Sequence, residues 1–280
     1  MHPFKIKYKY GTGKLIIAGI LGPLEQKNTD CQATWYCEIG TSGELIHNRI
    51  EIFEESLLQA ILTRKTAIKE GFVLENIFLK DVLIKPSGGV LLLAEEQLDI
   101  IRPKKQAGSP IITEEHELHY GKGLIMSLDH QGKSMWNVLL DKRQNELTTD
   151  PKTAFGSYAY QLKEDKLYLI WNFMELKRDL KPLPTFRYWV DLNQSKINID
   201  NLYGVKTIHP TLLTVIDKDG YFVYDDRTFK SLPLNTIQQQ NAFAMAVDPN
   251  IFFQTNGGIV ILSHMEGTDA KRYKFSTISF

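Results

Sequence analysis

The sequence predicts an all-β protein built from antiparallel meanders, and three observations carry that prediction. Short runs rich in branched aliphatic and aromatic residues recur along the whole chain. Turns rich in Gly, Asp, Asn and Pro separate these runs, and this arrangement is typical of antiparallel strands. The content of 43% hydrophobic and 11% aromatic residues is that of a folded globular protein. The clearest meander has runs at residues 81–85, 90–95, 124–128 and 135–140, with tight turns at 86–89 and 129–132.

Length and charge limit the classes of function that the sequence allows. With 280 residues the chain can bury a large core, and all-β domains of this size often stay whole. We therefore predict a single domain over residues 1–280. Lys plus Arg equals Asp plus Glu at 33 each, so no overall field attracts nucleic acid or an anionic membrane. No apolar run reaches the ~20 residues of a membrane helix, and we expect a monomer with neither a nucleic-acid partner nor a transmembrane segment.

The N-terminal part of the chain predicts a first meander. Residues 5–10 alternate Lys with Ile and Tyr, which is the period of a strand with one wet face. Further runs lie at 14–20, 32–39 and 45–53, with turns at 11–13 and 40–43. Cys31 and Cys37 are ~20 Å apart along the third run at ~3.3 Å per residue, whereas a disulfide needs Cα atoms within ~7 Å. We predict two buried thiols rather than a disulfide or a redox pair.

Residues 54–70 predict one helix. Its apolar side carries Leu57, Leu58, Ile61, Leu62 and Ile68. Acidic residues at its start and a Gly after its end favour the two helix termini. We predict that Leu58, Ile61 and Leu62 pack on the domain rather than on a partner, with the basic residues at 64, 65 and 69 in solvent.

The pattern of strand and turn continues to the C-terminus. Predicted strands lie at 157–162, 166–173, 186–191, 196–200, 211–216 and 221–224. A last group lies at 243–247, 250–254, 259–263 and 273–280. Gly88-Gly89 and Gly257-Gly258 each precede a run of branched aliphatics, which indicates an internal repeat, although the spacing between turns is irregular.

Stacked meanders predict the overall architecture. A meander that cannot bury both faces alone must stack on its neighbours, and radial stacking of four-stranded blades gives a β-propeller. At ~40 to 50 residues per blade the chain supplies about five blades, with the helix near 54–70 as an insertion. An antiparallel β-sandwich is the alternative, and it explains the paired Gly-Gly turns less well. We also expect residues 4–10 to pair with residues 273–280, because a last blade of three strands leaves an unpaired edge.

Two segments carry a resemblance to a known family. They are residues 81–96, DVLIKPSGGVLLLAEE, and residues 123–136, GLIMSLDHQGKSMW. Both resemble a family of uncharacterised exported propeller-like proteins of Gram-negative bacteria, and residues 165–170, 215–220 and 271–280 look like its later landmarks. The resemblance implies a propeller fold and, if a signal peptide has been removed, export to the periplasm or cell surface. It implies no activity.

Asp129, Gly132 and Trp136 are similar to the residues that lock each blade in quinoprotein-type propeller repeats. Here the Asp-to-Gly spacing is one residue short, and the other turns lack the Trp. The three residues therefore predict blade-locking parts, and neither a quinone site nor any other cofactor site is predicted.

The segment EEHELH at residues 114–119 is the one cluster in the sequence with metal-ligand character. Imidazoles beside carboxylates can hold Zn²⁺, so His116, Glu117 and His119 are the candidate ligands. The two His residues share a face at helical spacing but point to opposite faces of a strand. Because the segment lies in a polar stretch between predicted strands, we expect a solvated hairpin tip without a metal.

Other motifs indicate structure rather than chemistry. Ser127, Ser157 and Ser263 lack a Gly-x-Ser-x-Gly context. The DKDG segment at residues 217–220 lacks the closing Glu of a calcium loop, so it predicts a hairpin turn. The aromatic residues able to form a sugar-stacking platform are Trp35, Trp136, Trp171, Trp189, Tyr158, Tyr160 and Tyr188. Since all lie in predicted strands, we expect most to fill the core and a minority to face a ligand.

These observations favour a non-catalytic binding or scaffold propeller at the bacterial cell envelope, with a protein or a glycan as its ligand. The aromatic content and the lack of a catalytic signature in the sequence support this hypothesis. The alternative is a metal-assisted glycan hydrolase or lyase that uses His116 and His119. That alternative depends on one cluster and on analogy with other propellers.

Overall fold

A computed structural model describes residues 4–22, 30–62, 74–105, 112–142, 144–148, 156–172, 211–223, 230–231, 245–266 and 271–279. Over these residues the protein is all-β with antiparallel sheets and one short helix, so that part of the fold prediction is confirmed. The chain divides into two compact units. The first unit comprises residues 1–98, 119–142 and 218–220, and the second comprises residues 99–118, 143–217 and 221–280. The single domain over residues 1–280 stays a prediction.

The first sheet of the first unit is the N-terminal meander. Its strands are β1 (Phe4–Lys9), β2 (Lys14–Leu21), β3 (Ala33–Ile39) and β4 (Leu45–Ile52), in the order β1-β2-β3-β4. These strands confirm the four predicted runs. The two hairpin turns need left-handed backbone, which Gly residues supply at positions 11, 13 and 43.

Helix α1 (Glu55–Leu62) follows the first sheet. Leu57 and Leu58 are buried, and Ile61 packs against the same core, so the predicted packing of Leu58 and Ile61 is confirmed. The Lys122 ammonium donates to the last carbonyl groups of the helix, at 2.8 Å from Ala60 O and 2.9 Å from Ile61 O, which favours the negative end of the helix dipole. The Leu62 side chain and residues 63–70 lie outside the described residues.

The second sheet contains the clearest predicted meander. Its strands are β5 (Ile77–Ile84), β6 (Val90–Lys105), β7 (Ile112–Leu128) and β8 (Ser134–Leu140), in the order β5-β6-β7-β8, and β9 (Gln144–Thr148) pairs with β7. The predicted four-strand order is confirmed, but the prediction that residues 114–119 form a solvated hairpin tip is wrong. They lie within β7, where charged neighbours contact the polar side chains at 116 and 117.

The core of the first unit follows from the period of two along each strand. Alternate residues of β2, β6 and β7 point to one face of their sheets and are buried together. They are Ile16, Ala18 and Ile20, then Val90, Leu92 and Ala94, then Leu124, Met126 and Leu128. At the edge of this core Lys7 of β1 forms a 2.7 Å ion pair with Asp81 of β5.

The second unit contains two further sheets. Strands β10 (Tyr158–Lys163), β11 (Lys166–Asn172), β12 (Thr211–Ile216) and β13 (Lys230–Ser231) form one of them in that order. Glu164 and Asp165 both have positive φ between β10 and β11, which is the geometry of a two-residue type I′ hairpin turn. The predicted strands at 186–191 and 196–200 lie outside the described residues.

The last sheet consists of β14 (Met245–Thr255), β15 (Gly258–Glu266) and β16 (Lys271–Ser279). The prediction of separate strands at 243–247 and 250–254 is wrong. Strand β14 continues through a β-bulge between Asp248 and Phe252, and the bulge accommodates Pro249, which cannot donate to a ladder.

Amide side chains tie the two sheets of the second unit together. Asn172 of β11 donates from Nδ2 to the carbonyl oxygen of Val247 at 2.6 Å and accepts from the backbone N–H of Val247 at 3.1 Å. Gln161 and Gln254 donate to carbonyl oxygens of the facing sheet at 2.7 and 3.1 Å. These groups satisfy buried backbone polar atoms where no ladder exists. The apolar contact between the sheets consists of Ala159, Ile170, Val247, Ile259 and Ile261.

The expected pairing of residues 4–10 with residues 273–280 is wrong. Among the described strands, β1 pairs with β2 and β16 pairs with β15, and none of the described sheets closes on itself. Each terminal strand therefore takes the hairpin partner next to it in sequence, because a short turn costs less chain entropy to close than a contact between distant termini.

Candidate functional site

The first unit has an open cleft of about 480 Å³ between α1 and β8. This volume lies within the range that small-molecule sites occupy. The lining residues are Glu54, Ser56, Leu57, Ala60, Ser134, Met135, Trp136, Asn137 and Leu139. Leu57 is buried, whereas Met135 is 61% exposed. The cleft therefore offers both apolar and polar groups.

Two residues that do not line the cleft, Lys218 and Gly220, contact the Trp136 indole. Its indole Nε1–H donates to the carbonyl oxygen of Lys218 at 2.8 Å. Gly220 lies against the ring so closely that an added Cβ would come 2.8 Å from it. These two contacts restrict the indole, and the half-buried Trp136 also lines the cleft.

Gly220 approaches Trp136 from an Asp-x-x-Gly turn, and the turn at 129–132 has the same pattern. In the turn at 217–221, Oδ1 of Asp217 accepts from the backbone N–H of Tyr221 at 2.9 Å, and Gly220 has a φ of +86°. In the turn at 129–133, Oδ1 of Asp129 accepts from two backbone N–H groups at 2.8 and 2.9 Å. Gly132 there lies against the Tyr36 ring, where an added Cβ would come 2.6 Å from the Tyr36 side chain. Both Asp-x-x-Gly turns thus seat an aromatic residue on their Gly.

The structure does not bring Asp129, Gly132 and Trp136 together in one contact, and their blade-locking role stays a prediction. Gly132 seats Tyr36, and Trp136 is seated by Gly220 instead. Partial burial alone would raise the pKa of Asp129, but the backbone hydrogen bonds from Lys133 and Gln131 outweigh it and hold that pKa below its ordinary value.

Polar residues from two elements also line the cleft. The Ser56 hydroxyl donates to Oε2 of Glu54 at 3.4 Å at the start of α1, and both residues are exposed. Asn137 is an exposed residue of β8. A carboxylate and an amide that line one cleft can accept and donate hydrogen bonds to a polyhydroxylated molecule.

The candidate metal ligands of the segment 114–119 do not converge. Nδ1 of His116 lies 2.9 Å from Asp99, and Glu117 forms an ion pair with Arg102. Residues three apart on a strand point to opposite faces, so His116 and His119 diverge within β7. No group of three or more His, Cys, Asp or Glu residues in the described part of the chain is placed to hold a metal ion.

The two Cys residues are buried and free, as predicted. Burial, with a further contribution from Asp30, raises the pKa of Cys31 to about 12, and burial also raises the pKa of Cys37. Neither thiol is therefore activated as a nucleophile.

Most of the predicted aromatic residues are structural. Trp171, Tyr158 and Tyr160 are buried, and the half-buried Trp35 donates from Nε1 to Oδ1 of Asn48 at 2.8 Å. Trp136 differs because it lines the cleft. Tyr188 and Trp189 lie outside the described residues.

The predicted Ser residues are also structural where they are described. Ser127 and Ser157 are buried. The Ser127 hydroxyl accepts from the Lys85 ammonium at 2.8 Å, and the Ser157 backbone N–H donates to the Gln144 side chain at 2.9 Å. The side chain of Ser263 lies outside the described residues.

Sequence reasoning missed a buried ion pair in the first unit. Lys142 and Glu95 have fully buried side chains in direct contact, and Gln97 donates to the second carboxylate oxygen of Glu95 at 2.7 Å. Burial lowers the pKa of Lys142, although the Glu95 carboxylate opposes that shift. The signal available in the sequence was a carboxylate at the end of the apolar run 90–94. Because no solvent reaches either group, the pair is structural.

No family model matches the chain, and no curated protein matches it either. Within the described residues no helix is both long and apolar enough to cross a membrane. The functional argument therefore depends on the geometry of the cleft.

Proposed function

We propose that the protein is a non-catalytic binding or scaffold protein that holds a glycan in the cleft beside Trp136. The observation that carries this proposal is the restricted position of the indole, which Lys218 and Gly220 contact. A preorganised ring loses little conformational entropy when a ligand stacks on it. The carboxylate of Glu54 and the amide of Asn137 suit the hydroxyl groups of a sugar better than an apolar ligand.

The arrangement of carboxylates favours binding over hydrolysis. Among the described residues that line the cleft, Glu54 alone carries a carboxylate. Most glycosidases need a pair of carboxylates ~5 to 10 Å apart that flank the scissile bond. The metal-assisted alternative through His116 and His119 has less support, because the two imidazoles diverge within β7.

We infer that the sheets are blades of a β-propeller with about five blades, and that its ring is open at β1-β2-β3-β4, because a closed ring would cover the exposed outer face of that sheet. The main path of each described sheet follows chain order, although β9 also pairs with β7. Chain order is the connectivity of propeller blades, whereas sandwiches commonly use Greek-key connections. The proposed place at the cell envelope depends on the resemblance of residues 81–96 and 123–136 to exported propeller-like proteins, and no family model supports that resemblance. A β-sandwich is the alternative, supported by the face-to-face packing of sheets in the second unit.

Glycan-array screening followed by titration of tryptophan fluorescence tests the proposed function. We expect binding without release of reducing ends, and at least a tenfold loss of affinity in Trp136→Ala. Tyr10→Ala is the matched control, since Tyr10 is an exposed aromatic residue outside the cleft. Equal affinity of Trp136→Ala and the natural chain, or the absence of any glycan ligand, contradicts the proposal. Release of reducing ends would favour the hydrolase.

A further inference from the structure

The outer face of the sheet β1-β2-β3-β4 is apolar from edge to edge. The strand register aligns three rows across it, with one residue from each strand. The rows are Phe4, Gly19, Trp35 and Ile50; Ile6, Ile17, Cys37 and Asn48; and Tyr8, Leu15, Ile39 and Leu45. These rows contain no charged side chain, and their one amide, Asn48, already accepts a hydrogen bond from Trp35.

Seven large side chains of this sheet are exposed. They are Phe4, Ile6, Tyr8, Leu15, Leu45, Ile50 and Ile52, with exposures from 38% to 77%. Their exposed fractions add up to almost four fully exposed residues. This corresponds to an area on the order of 700 to 800 Å², at roughly 200 Å² for each fully exposed residue. An apolar patch on a monomer rarely exceeds a few hundred Å². Each partner in a standard stable interface contributes ~800 Å², so the patch has the size of a dimer interface.

The edge of the sheet is less suited to association than its face. Strand β1 is an edge strand with Lys5, Lys7 and Lys9 at alternate positions. Two copies paired edge to edge would bring these Lys residues opposite one another, and like charges directly across a pair of strands are destabilising. The same alternation turns the Lys side chains away from the outer face, which leaves that face free of charge.

In place of the monomer expected from the sequence, we propose that two copies of this chain associate through the outer faces of β1-β2-β3-β4, sheet against sheet, about a two-fold axis. An apolar sheet face is self-complementary in its chemistry, and two such faces pack ~10 Å apart. The balance of 33 basic and 33 acidic residues gives no net repulsion between copies. A partner that depends on charge, such as a nucleic acid or an anionic lipid surface, gains nothing from a face without charges. This inference uses none of the residues that line the cleft.

Sedimentation velocity across a wide concentration range tests the dimer. We expect a species of twice the 32.1 kDa mass of the chain, and a dissociation constant at least about a hundredfold higher for Ile50→Lys and Ile52→Lys, because a two-fold contact loses each side chain twice. Both residues are exposed in one copy, so circular dichroism should show a folded protein. If Ile50→Lys does not fold, Ile50→Thr keeps a β-branched residue and still weakens the apolar contact.

Phe253→Lys is the matched control, because Phe253 is 59% exposed on β14 in a different sheet. We expect this variant to dimerise like the natural chain. A natural chain that stays monomeric at every concentration overturns the proposal, and so does loss of the dimer in Phe253→Lys, which would indicate a head-to-tail contact. Glycan titrations separate the two proposals, since monomeric Ile50→Lys should keep the affinity of the cleft and Trp136→Ala should keep the dimer.

Discussion

Replacing Lys142 by Met tests the energetics of the first unit at its most sensitive point. The substitution keeps an unbranched side chain of similar length but removes the cation that contacts Glu95. Both side chains are fully buried, so the carboxylate would remain without a counter-charge in a site that water does not reach. Breaking a buried ion pair in this way costs about 3 to 5 kcal/mol. The hydrogen bond from Gln97 to Glu95 remains and offsets about 1 kcal/mol of that cost, so we expect a loss of about 2 to 4 kcal/mol.

Urea unfolding followed by circular dichroism measures this loss as a lower midpoint with an unchanged slope. The matched comparison is the double variant Lys142→Met/Glu95→Met, which replaces the pair by two apolar side chains. We expect the double variant to recover most of the stability, because apolar replacement of a whole buried pair is often neutral or better. A single variant within about 1 kcal/mol of the natural chain, or a double variant as unstable as the sum of the two single variants, would refute the reasoning.

Three further predictions follow from the turns and the buried amide. Gly220→Ala should lower glycan affinity and shift the tryptophan emission, because its Cβ would displace the indole. The control is Gly43→Ala, since Gly43 has the same φ of +86° but open space around it. The control should lose only the stability that corresponds to backbone strain, about 1 kcal/mol. Asn172→Ala should lower the free energy of unfolding by about 2 to 4 kcal/mol, because it leaves the buried N–H and carbonyl of Val247 without this side-chain partner. The control, Asn137→Ala, lies at an exposed position and should stay within about 0.5 kcal/mol of the natural chain. The pKa of Asp129 is lowered in the folded state. Its contribution to stability is therefore complete above the unfolded pKa of about 3.9 and is lost as the pH falls through the folded pKa. The melting temperature should fall less steeply with acid pH in Asp129→Asn than in the natural chain, and an identical fall would contradict this assignment.

Local patterns predicted the strands well. The alternation of Lys with Ile and Tyr in residues 5–10 predicted β1, and the glycine-containing turn at 86–89 predicted the hairpin between β5 and β6. The free state of Cys31 and Cys37 also followed from spacing alone. These features depend on a period of two and on backbone geometry within a few residues, which are properties that a sequence carries directly.

The candidate site was predictable only in part. Trp136 and Trp171 give the same signal, a Trp in a run of strand-forming residues, yet Trp171 is buried and Trp136 lines the cleft. The two Trp residues differ because Gly220 contacts Trp136 and α1 lines the same cleft. Both segments are distant from Trp136 in sequence. The prediction of a hairpin tip at residues 114–119 was wrong for a related reason, since cross-strand neighbours keep the segment in β7.

The sequence by itself determined where strands and turns form, because side-chain alternation and glycine conformations act locally. Only the tertiary structure decided which face of each strand became core, which sheet edge received which partner, and which charges were buried together. Lys142 and Glu95 illustrate the difference. Glu95 follows an apolar run, but its pairing with Lys142 depends on two separate segments reaching the same interior point. Burial and pairing are non-local quantities that follow from the stacking of sheets, and that stacking leaves the outer face of β1-β2-β3-β4 exposed while it covers the inner one.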